Sequence, residues 1–141
     1  MIPTAAGSLP DSTALPVILL VEDHEDTRQM YVAFLSATFD VMSAADATEA
    51  LNLINSRPPD LVITDVSLPG MDGLELIARL REDPRLQSVP TICLSGYGGE
   101  AHQERAREVG CARVVEKPCM PDVLAAIAAD VLRVANGSVQ S

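Results

Sequence analysis

The chain alternates short apolar runs with longer segments in which apolar residues recur every three or four positions. The apolar runs are bounded by Gly, Pro or charged residues and are too short for core helices, so they predict strands. We expect strands at residues 17–21, 39–43, 61–65, 91–94 and 112–116. The first run is apolar at every position, which is typical of a strand covered on both faces in a parallel sheet.

The segments between these runs predict five helices. Apolar residues at helical spacing, such as Met30, Tyr31, Phe34 and Leu35, indicate where each helix packs. We expect the helices at about 24–37, from 47 to a stop at 57–59, from an N-cap at Asp72 to Pro84, at about 100–109 and at about 121–135. The last helix is apolar on more than one face. The apolar residues outside the first face either widen the face that packs in the core or form a surface for a partner.

This order of a strand and a helix, repeated five times, predicts an α/β fold. The expected architecture is a doubly wound parallel five-stranded sheet with helices on both faces and right-handed crossovers. Residues 1–15 contain Pro3, Gly7 and Pro10 without periodicity and predict a flexible N-terminal tail. We therefore expect one domain at 16–135 and a frayed C-terminus at 136–141.

Composition narrows the function classes. The 141 residues carry a formal net charge of −10, which argues against direct binding of nucleic acid or of an anionic membrane. The three cysteines lack C-x-x-C spacing, so neither a disulfide framework nor a zinc site is expected. No Lys or Arg precedes Arg28, and the longest apolar stretch is too short to span a bilayer. These features predict a cytoplasmic protein without membrane insertion.

Polar residues follow four of the five predicted strands at their carboxyl ends. Glu22 and Asp23 follow the first strand, Asp65 ends the third, Ser95 follows the fourth and Lys117 follows the fifth. Each residue alone has an ordinary explanation as a helix cap, a turn residue or a surface charge. Because these strand ends share one edge of a doubly wound sheet, we expect the five side chains to converge in a ligand crevice.

The convergence predicts phosphoryl chemistry at Asp65. Three close carboxylates repel one another, and a divalent cation resolves that conflict. Ligands that offer only oxygen favour Mg²⁺. Asp65 can then act as a nucleophile and form an aspartyl phosphate, while Mg²⁺ and Lys117 offset the charge on the phosphoryl oxygens and Ser95 donates a hydrogen bond.

With these motifs, the sequence resembles the receiver domain of two-component response regulators, especially single-domain receivers of the chemotaxis or phosphorelay type. The matching residues are the acidic pair, Asp65 before L-P-G-M-D-G, Ser95 and Lys117-Pro118, and the resemblance covers residues 16–134. It implies the flavodoxin-like strand order 2-1-3-4-5 and a cis peptide bond at Pro118. It also implies direct Mg²⁺ ligation by Asp23, Asp65 and the backbone carbonyl of Ser67, with Glu22 acting through water.

The resemblance also implies a signalling role instead of enzymatic turnover. A histidine kinase or a histidine phosphotransfer protein would donate the phosphoryl group, and a downstream protein of unknown identity would bind through the last two helices. We expect a monomer or weak dimer whose output is by protein contact, unless the chain is part of a longer protein that carries an output domain. Family members usually carry Tyr or Phe where this chain has Val114, so we expect Tyr97 and the segment 95–109 to respond instead.

Two alternatives remain open. A haloacid-dehalogenase-like phosphatase also uses an Asp nucleophile with Mg²⁺, but it needs a second Asp two residues later, and this chain has Ser67 there. A receiver-like interaction module that is never phosphorylated is the other alternative. The intact set of site residues argues against that alternative, and Val114 leaves it some room.

Overall fold

The computed structural model of the chain describes residues 14–96 and 99–140, with the backbone alone at 99–102 and 137–140. Five strands and five helices alternate along the chain. The strands are β1 (Val17–Val21), β2 (Asp40–Ala44), β3 (Leu61–Asp65), β4 (Thr91–Ser95) and β5 (Arg113–Glu116). The helices are α1 (Glu25–Leu35), α2 (Ala47–Ser56), α3 (Gly73–Arg81), α4 (Gly99–Glu108) and α5 (Pro121–Gln140).

The five strands form one parallel sheet in the order β2-β1-β3-β4-β5. This arrangement confirms the predicted α/β fold and the strand order 2-1-3-4-5. In the register, Val21 of β1 lies beside Thr64 of β3, and Thr64 lies beside Cys93 of β4. The carboxyl ends of the three central strands are therefore level, and residues that follow them meet at one edge of the sheet.

Alternate residues of each strand face opposite sides of the sheet, and both sides are covered. One apolar cluster joins Ile18, Ile63 and Ile92 to α1 and α5. Two clusters cover the other side, one with α2 and α3 and one with α3 and α4. Coverage on both faces explains why every residue of β3 and β4 is buried, as expected for the central strands of a parallel sheet. Within the described part of the chain, no helix combines the length and apolar character needed to cross a membrane.

Most predicted boundaries lie within two residues of the observed ones, and the differences have local causes. The second strand covers Asp40–Ala44 instead of 39–43, because Phe39 lies in the core against α1 and precedes the strand. Helix α3 ends at Arg81, since Glu82 and Asp83 already form a turn before Pro84.

Helix α5 extends to Gln140, past the predicted end at residue 135. Asn136 and Gly137, the first residues of the segment expected to fray, are poor helix formers. An isolated Gly costs a helix only about 1 kcal/mol, and this segment contains no Pro that would break the helix. For the N-terminal tail predicted at 1–15, residues 1–13 lie outside the described part of the chain, and Ala14 and Leu15 are exposed.

One arginine connects α3 to the two loops below it. The guanidinium group of Arg81 donates hydrogen bonds to the backbone carbonyls of Leu86, Val89 and Gly110, at 3.1, 3.0 and 3.3 Å. It also donates to the carbonyl of Gln87 and to the hydroxyl of Thr91, both at 3.3 Å. Arg81 thereby fixes the chain on both sides of β4, which no spacing pattern in the sequence indicates.

Helix α3 begins directly against the end of β3. The Asp72 carboxylate accepts a hydrogen bond from the Glu75 backbone at 2.8 Å, and the two residues form a capping box. A β-carbon built on Gly73 would lie 1.9 Å from the backbone oxygen of Asp65. Only glycine allows this close approach, so Gly73 fixes the position of the helix relative to Asp65.

The first prediction concerns this contact. Gly73→Ala should destabilise the protein by about 1–3 kcal/mol, because the new methyl group overlaps backbone that cannot rotate away. The loss should occur even though alanine is the better helix former by about 1 kcal/mol. Urea unfolding would measure the change. Gly96→Ala is the matched control, since its β-carbon meets nothing within 4 Å and its φ is not positive. Equal stability of the two variants would contradict the assigned role of Gly73.

Candidate functional site

Asp65 is a carboxylate at the end of a fully buried strand. Its side chain is only 2% exposed, and β3 lies between β1 and β4 in the sheet. Neither of its carboxylate oxygens has a well-aligned hydrogen-bond partner among the described residues. Burying a charged group without such partners is costly, so the site must supply another source of stabilisation.

Lys117 supplies part of the stabilisation that the buried Asp65 carboxylate needs. Its ammonium nitrogen lies 2.7 Å from Oδ1 of Asp65 and 3.3 Å from Oε1 of Glu22. Lys117 follows β5 directly, and its peptide bond to Pro118 is cis. The ammonium group therefore bridges the two buried carboxylates from the edge strand, while about a third of the lysine side chain stays exposed.

Glu22 and Asp23, which follow β1, complete an acidic cluster. Glu22 is buried, and its Oε2 accepts a hydrogen bond from the His24 backbone at 3.0 Å. Asp23 is exposed. One carboxylate oxygen from each of Glu22, Asp23 and Asp65 lies within 4.8 Å of the other two. The prediction that these three carboxylates lie together is thus met in the described residues.

The pKa of Asp65 is raised to about 8. Burial is the largest cause, and the upward effect of the adjoining Glu22 carboxyl group exceeds the downward effect of Lys117. Burial also opposes ionisation of Glu22, but Asp65, the His24 backbone and Lys117 together hold its pKa below the usual value. Burial disfavours the charged form of Lys117 as well, and the two carboxyl groups more than compensate, so its pKa is raised. Without a metal ion, the cluster therefore keeps a proton on Asp65 at neutral pH.

The donor set fits a hard divalent cation. All the groups offer oxygen, two of the three carboxylates are buried, and the Asp65 oxygens have no aligned donor of their own among the described residues. Mg²⁺ is held in such sites by one or two carboxylates together with water. The exposed Asp23 keeps one side of the cluster open to solvent, as a cation that retains water requires.

The other predicted residues lie at or near the same edge. Ser95 ends β4 with its side chain buried, and Ser67 is exposed two residues beyond Asp65. Val114 is partly buried in the apolar cluster that contains Ala106 of α4. Tyr97 lies outside the described residues, so its expected role stays a prediction.

Sequence reasoning missed two supporting residues. Arg28, on the first turn of α1, donates a hydrogen bond of 2.9 Å to the backbone carbonyl of Glu22 and holds the acidic loop. Gly73 sets the approach of α3 to Asp65. A glycine at a predicted helix start is a weak signal of close packing, and an arginine on an exposed helix turn gives none.

Comparison with known proteins identifies the family. The family model described as the response regulator receiver domain matches residues 18–129. The chain belongs to this family. Receiver domains are the signalling domains of two-component systems, so the acidic edge of the sheet lies in a signalling module and not in a conventional enzyme.

Similar sequences come from several bacteria. The chain is 38% identical over 117 residues to response regulator Rre1 of Synechocystis sp., covering 82% of this chain and 51% of that relative. It thus spans about half the length of that protein. It is 29% identical over 102 residues to the polar-differentiation response regulator DivK of Brucella anthropi, covering 72% of this chain and 83% of DivK.

Solved structures of similar chains share the fold. Chemotaxis protein CheY4 of Vibrio cholerae is 28% identical, with a TM-score of 0.80 over 84% of this chain and 99% of CheY4. The signal receiver domain of an HD domain-containing protein from Pseudomonas fluorescens is 33% identical. Its TM-score is 0.80 over 87% of this chain and 98% of that domain.

The second prediction concerns pH. The folded pKa of Asp65, about 8, lies above the ordinary value of 3.8. Protonated Asp65 stabilises the folded state fully below about pH 4, where the folded and unfolded states both bind the proton. It is lost as pH rises towards 8, because only the unfolded state gives up the proton over that range. In EDTA, the melting temperature should fall over this range, and Asp65→Asn should reduce that fall.

The exposed Glu116 provides the control for general charge repulsion. Glu116→Gln should leave the pH profile close to that of the wild type. Added Mg²⁺ should raise the wild-type melting temperature. The rise should be larger at pH 8 than at pH 5, because bound Mg²⁺ replaces the proton. A Mg²⁺ concentration of a hundred times Kd would stabilise the folded state by about 2.7 kcal/mol. A pH profile in EDTA that is the same for wild type and Asp65→Asn would show that Asp65 keeps no proton.

Proposed function

We propose that the protein is a phosphoacceptor in two-component or phosphorelay signalling, with Asp65 as the residue that receives the phosphoryl group. One observation carries this proposal. A buried carboxylate without an aligned hydrogen-bond donor lies 2.7 Å from a lysine ammonium group and within 4.8 Å of two further carboxylates. A buried Asp crowded by two further carboxylates and offset by a single lysine is incompletely stabilised by its neighbours, so a ligand that brings positive charge to these oxygens would stabilise it.

The transfer needs an ionised Asp65. One of its oxygens bonds to phosphorus as the bond from phosphorus to the donor's imidazole nitrogen breaks, and the imidazole leaves with that electron pair. Lys117 offsets the negative charge of the phosphoryl oxygens, and Ser95 donates a hydrogen bond to one of them. Glu22, Asp23, Asp65 and the backbone carbonyl of Ser67 would hold Mg²⁺, which supplies the remaining positive charge.

The donor is a histidine kinase or a histidine phosphotransfer protein, and the surface next to Lys117 suits its docking. A groove of about 400 Å³ lies between α1 and the loop from β5 to α5. Its lining includes Met30, Tyr31, Lys117 and Met120, while exposed Phe34 lies on α1 and exposed Val123 lies in the first turn of α5. A donor that delivers a phosphoryl group beside Lys117 must cover this apolar surface.

The output leaves through the segment 95–109 and the last two helices. Among the described side chains of α4 only Ala106 is buried, so this helix has few contacts to break when it moves. A phosphoryl group that accepts a hydrogen bond from Ser95 would pull on the first residue of this segment. The change shifts an existing equilibrium of α4, which a downstream protein then recognises.

The third prediction tests the phosphoacceptor. Acetyl phosphate with Mg²⁺ should add one acid-stable, base-labile phosphoryl group to Asp65, detected by mass spectrometry of intact protein and peptides. Asp65→Asn should abolish the label. Lys117→Met should slow labelling on the order of 100-fold, because it removes a positive charge from the phosphoryl oxygens.

Two outcomes would contradict the proposal. Label on Ser67 or Ser95 would refute Asp65 as the nucleophile. A complete lack of label on a protein that binds Mg²⁺ and also resists a histidine-phosphorylated donor would favour a receiver-like module that is never phosphorylated.

The fourth prediction tests donor docking. Met120 is 64% exposed in the groove, and Met120→Glu should slow transfer from a histidine-phosphorylated donor about tenfold, because a charge replaces an apolar contact. Labelling by acetyl phosphate should not change. Val134→Glu is the matched control, since Val134 is 57% exposed on the distal part of α5. Equal slowing by both variants would place docking elsewhere.

A further inference from the structure

Two cysteines that the phosphoacceptor site does not use lie in contact beneath α4. The sulfur of Cys93, in β4, is 2.8 Å from the sulfur of Cys111, which lies just before β5. Cys93 is fully buried, while Cys111 is partly buried and near the surface. Both belong to the apolar cluster that contains Ala106 of α4. Two thiols in such contact need little movement to form a disulfide bond.

The surroundings give the two thiols different reactivity. The hydrogen-bonding contact with Cys93 lowers the pKa of Cys111 to about 7, against the opposing effect of burial. The same contact and burial raise the pKa of Cys93. The guanidinium group of Arg81 donates to the carbonyl of Gly110, the residue before Cys111, and its charge interacts electrostatically with Cys111. Thiolates are the nucleophiles in cysteine chemistry, so Cys111 is the reactive member of the pair.

We propose that Cys93 and Cys111 form a redox-sensitive dithiol, which peroxide closes into an intramolecular disulfide bond. The geometry supports this assignment independently of the phosphoryl chemistry. Neither cysteine belongs to the acidic cluster. The third cysteine, Cys119, lies on the other side of the sheet in the cluster with α1 and α5.

The reaction balances with peroxide as the oxidant. The Cys111 thiolate attacks one oxygen of hydrogen peroxide, the O–O bond breaks, and Cys111 becomes a sulfenic acid as hydroxide leaves and takes up a proton. The Cys93 sulfur then bonds to the Cys111 sulfur, the S–O bond breaks, and the Cys93 proton leaves with the hydroxyl group as water. Two thiols and one peroxide thus give one disulfide and two waters.

The disulfide would tie the chain before β5 to β4. Val109, which directly follows α4, lies in the same cluster as both sulfurs, and the Cys111 backbone N–H donates to the carbonyl of Ala106 at 2.8 Å. A covalent link at Cys111 therefore restrains the carboxyl end of α4. If α4 carries the output, as the proposed function has it, oxidation holds that helix in its present position.

The experiment treats the reduced, unphosphorylated protein with hydrogen peroxide, followed by acid quench, denaturation and alkylation. The reduced protein should show three alkylated cysteines, and the oxidised protein one, Cys119. Trypsin cleaves after Arg105 and Arg107, so the disulfide should appear as a cross-link between the peptides 86–105 and 108–113. Dithiothreitol should restore all three thiols. Cys111 should react about tenfold faster than Cys119.

Variants and hydrogen exchange complete the test. Cys119→Ser should keep the cross-link, and Cys111→Ser should leave Cys93 unoxidised. In the oxidised wild type, backbone amides of 103–110 should exchange more slowly, while those of α1 are unchanged. Three free thiols after peroxide treatment, or oxidation of Cys119 in preference to Cys111, would overturn the proposal. Unchanged exchange at 103–110 would overturn the restraint of α4. Phosphoryl labelling is not part of the readout, so its failure would leave this result standing.

Discussion

The burial of Asp65 is the constraint on which the rest of the structure depends. A carboxylate that is 2% exposed at the end of a central strand costs free energy unless a cation or a proton compensates its charge. The ammonium group of Lys117 compensates part of the Asp65 charge, but the nearby Glu22 carboxyl group repels that charge and opposes the effect of the lysine. The remaining imbalance keeps a proton on Asp65 in the metal-free protein and favours any ligand that brings positive charge. This uncompensated charge lowers the stability of the folded protein and favours the binding of a cation.

The fold supplies this constraint through the parallel sheet. Coverage of both faces buries β3 along its whole length, so whatever residue ends the strand is removed from most of the solvent. The register then brings the ends of β1 and β4 level with it, and Gly73 lets α3 start against the Asp65 backbone. The helix N-terminus adds a partial positive charge on that side. The same packing that stabilises the domain therefore concentrates the electrostatic cost at one residue.

The sequence predicts the elements that repeat and the residues that stand at strand ends. The five apolar runs and the convergence of Glu22, Asp23, Asp65 and Lys117 were expected from periodic or positional signals, whereas the strand order was implied by the resemblance to receiver domains. The Arg81 hydrogen bonds and the contact between Cys93 and Cys111 were not expected. They depend on how loops that are distant in sequence pack against each other, and no spacing encodes that. The end of α5 was misplaced, because Asn136 and Gly137 are poor helix formers but do not stop a helix that has no Pro.

Strand β4 connects the two proposed chemistries. Cys93 and Ser95 are two residues apart, so their side chains face the same side of the sheet, towards α3 and α4. Ser95 begins the segment that ends in α4, and Cys111 follows that helix. A phosphoryl group would act on the beginning of this segment, whereas a disulfide would hold its end. With Ala106 as its one buried side chain among those described, α4 has little packing of its own to oppose either effect. If both proposals hold, the two inputs act on the same helix with opposite sign, and the oxidised protein should need a larger free energy from phosphorylation to reach the same output.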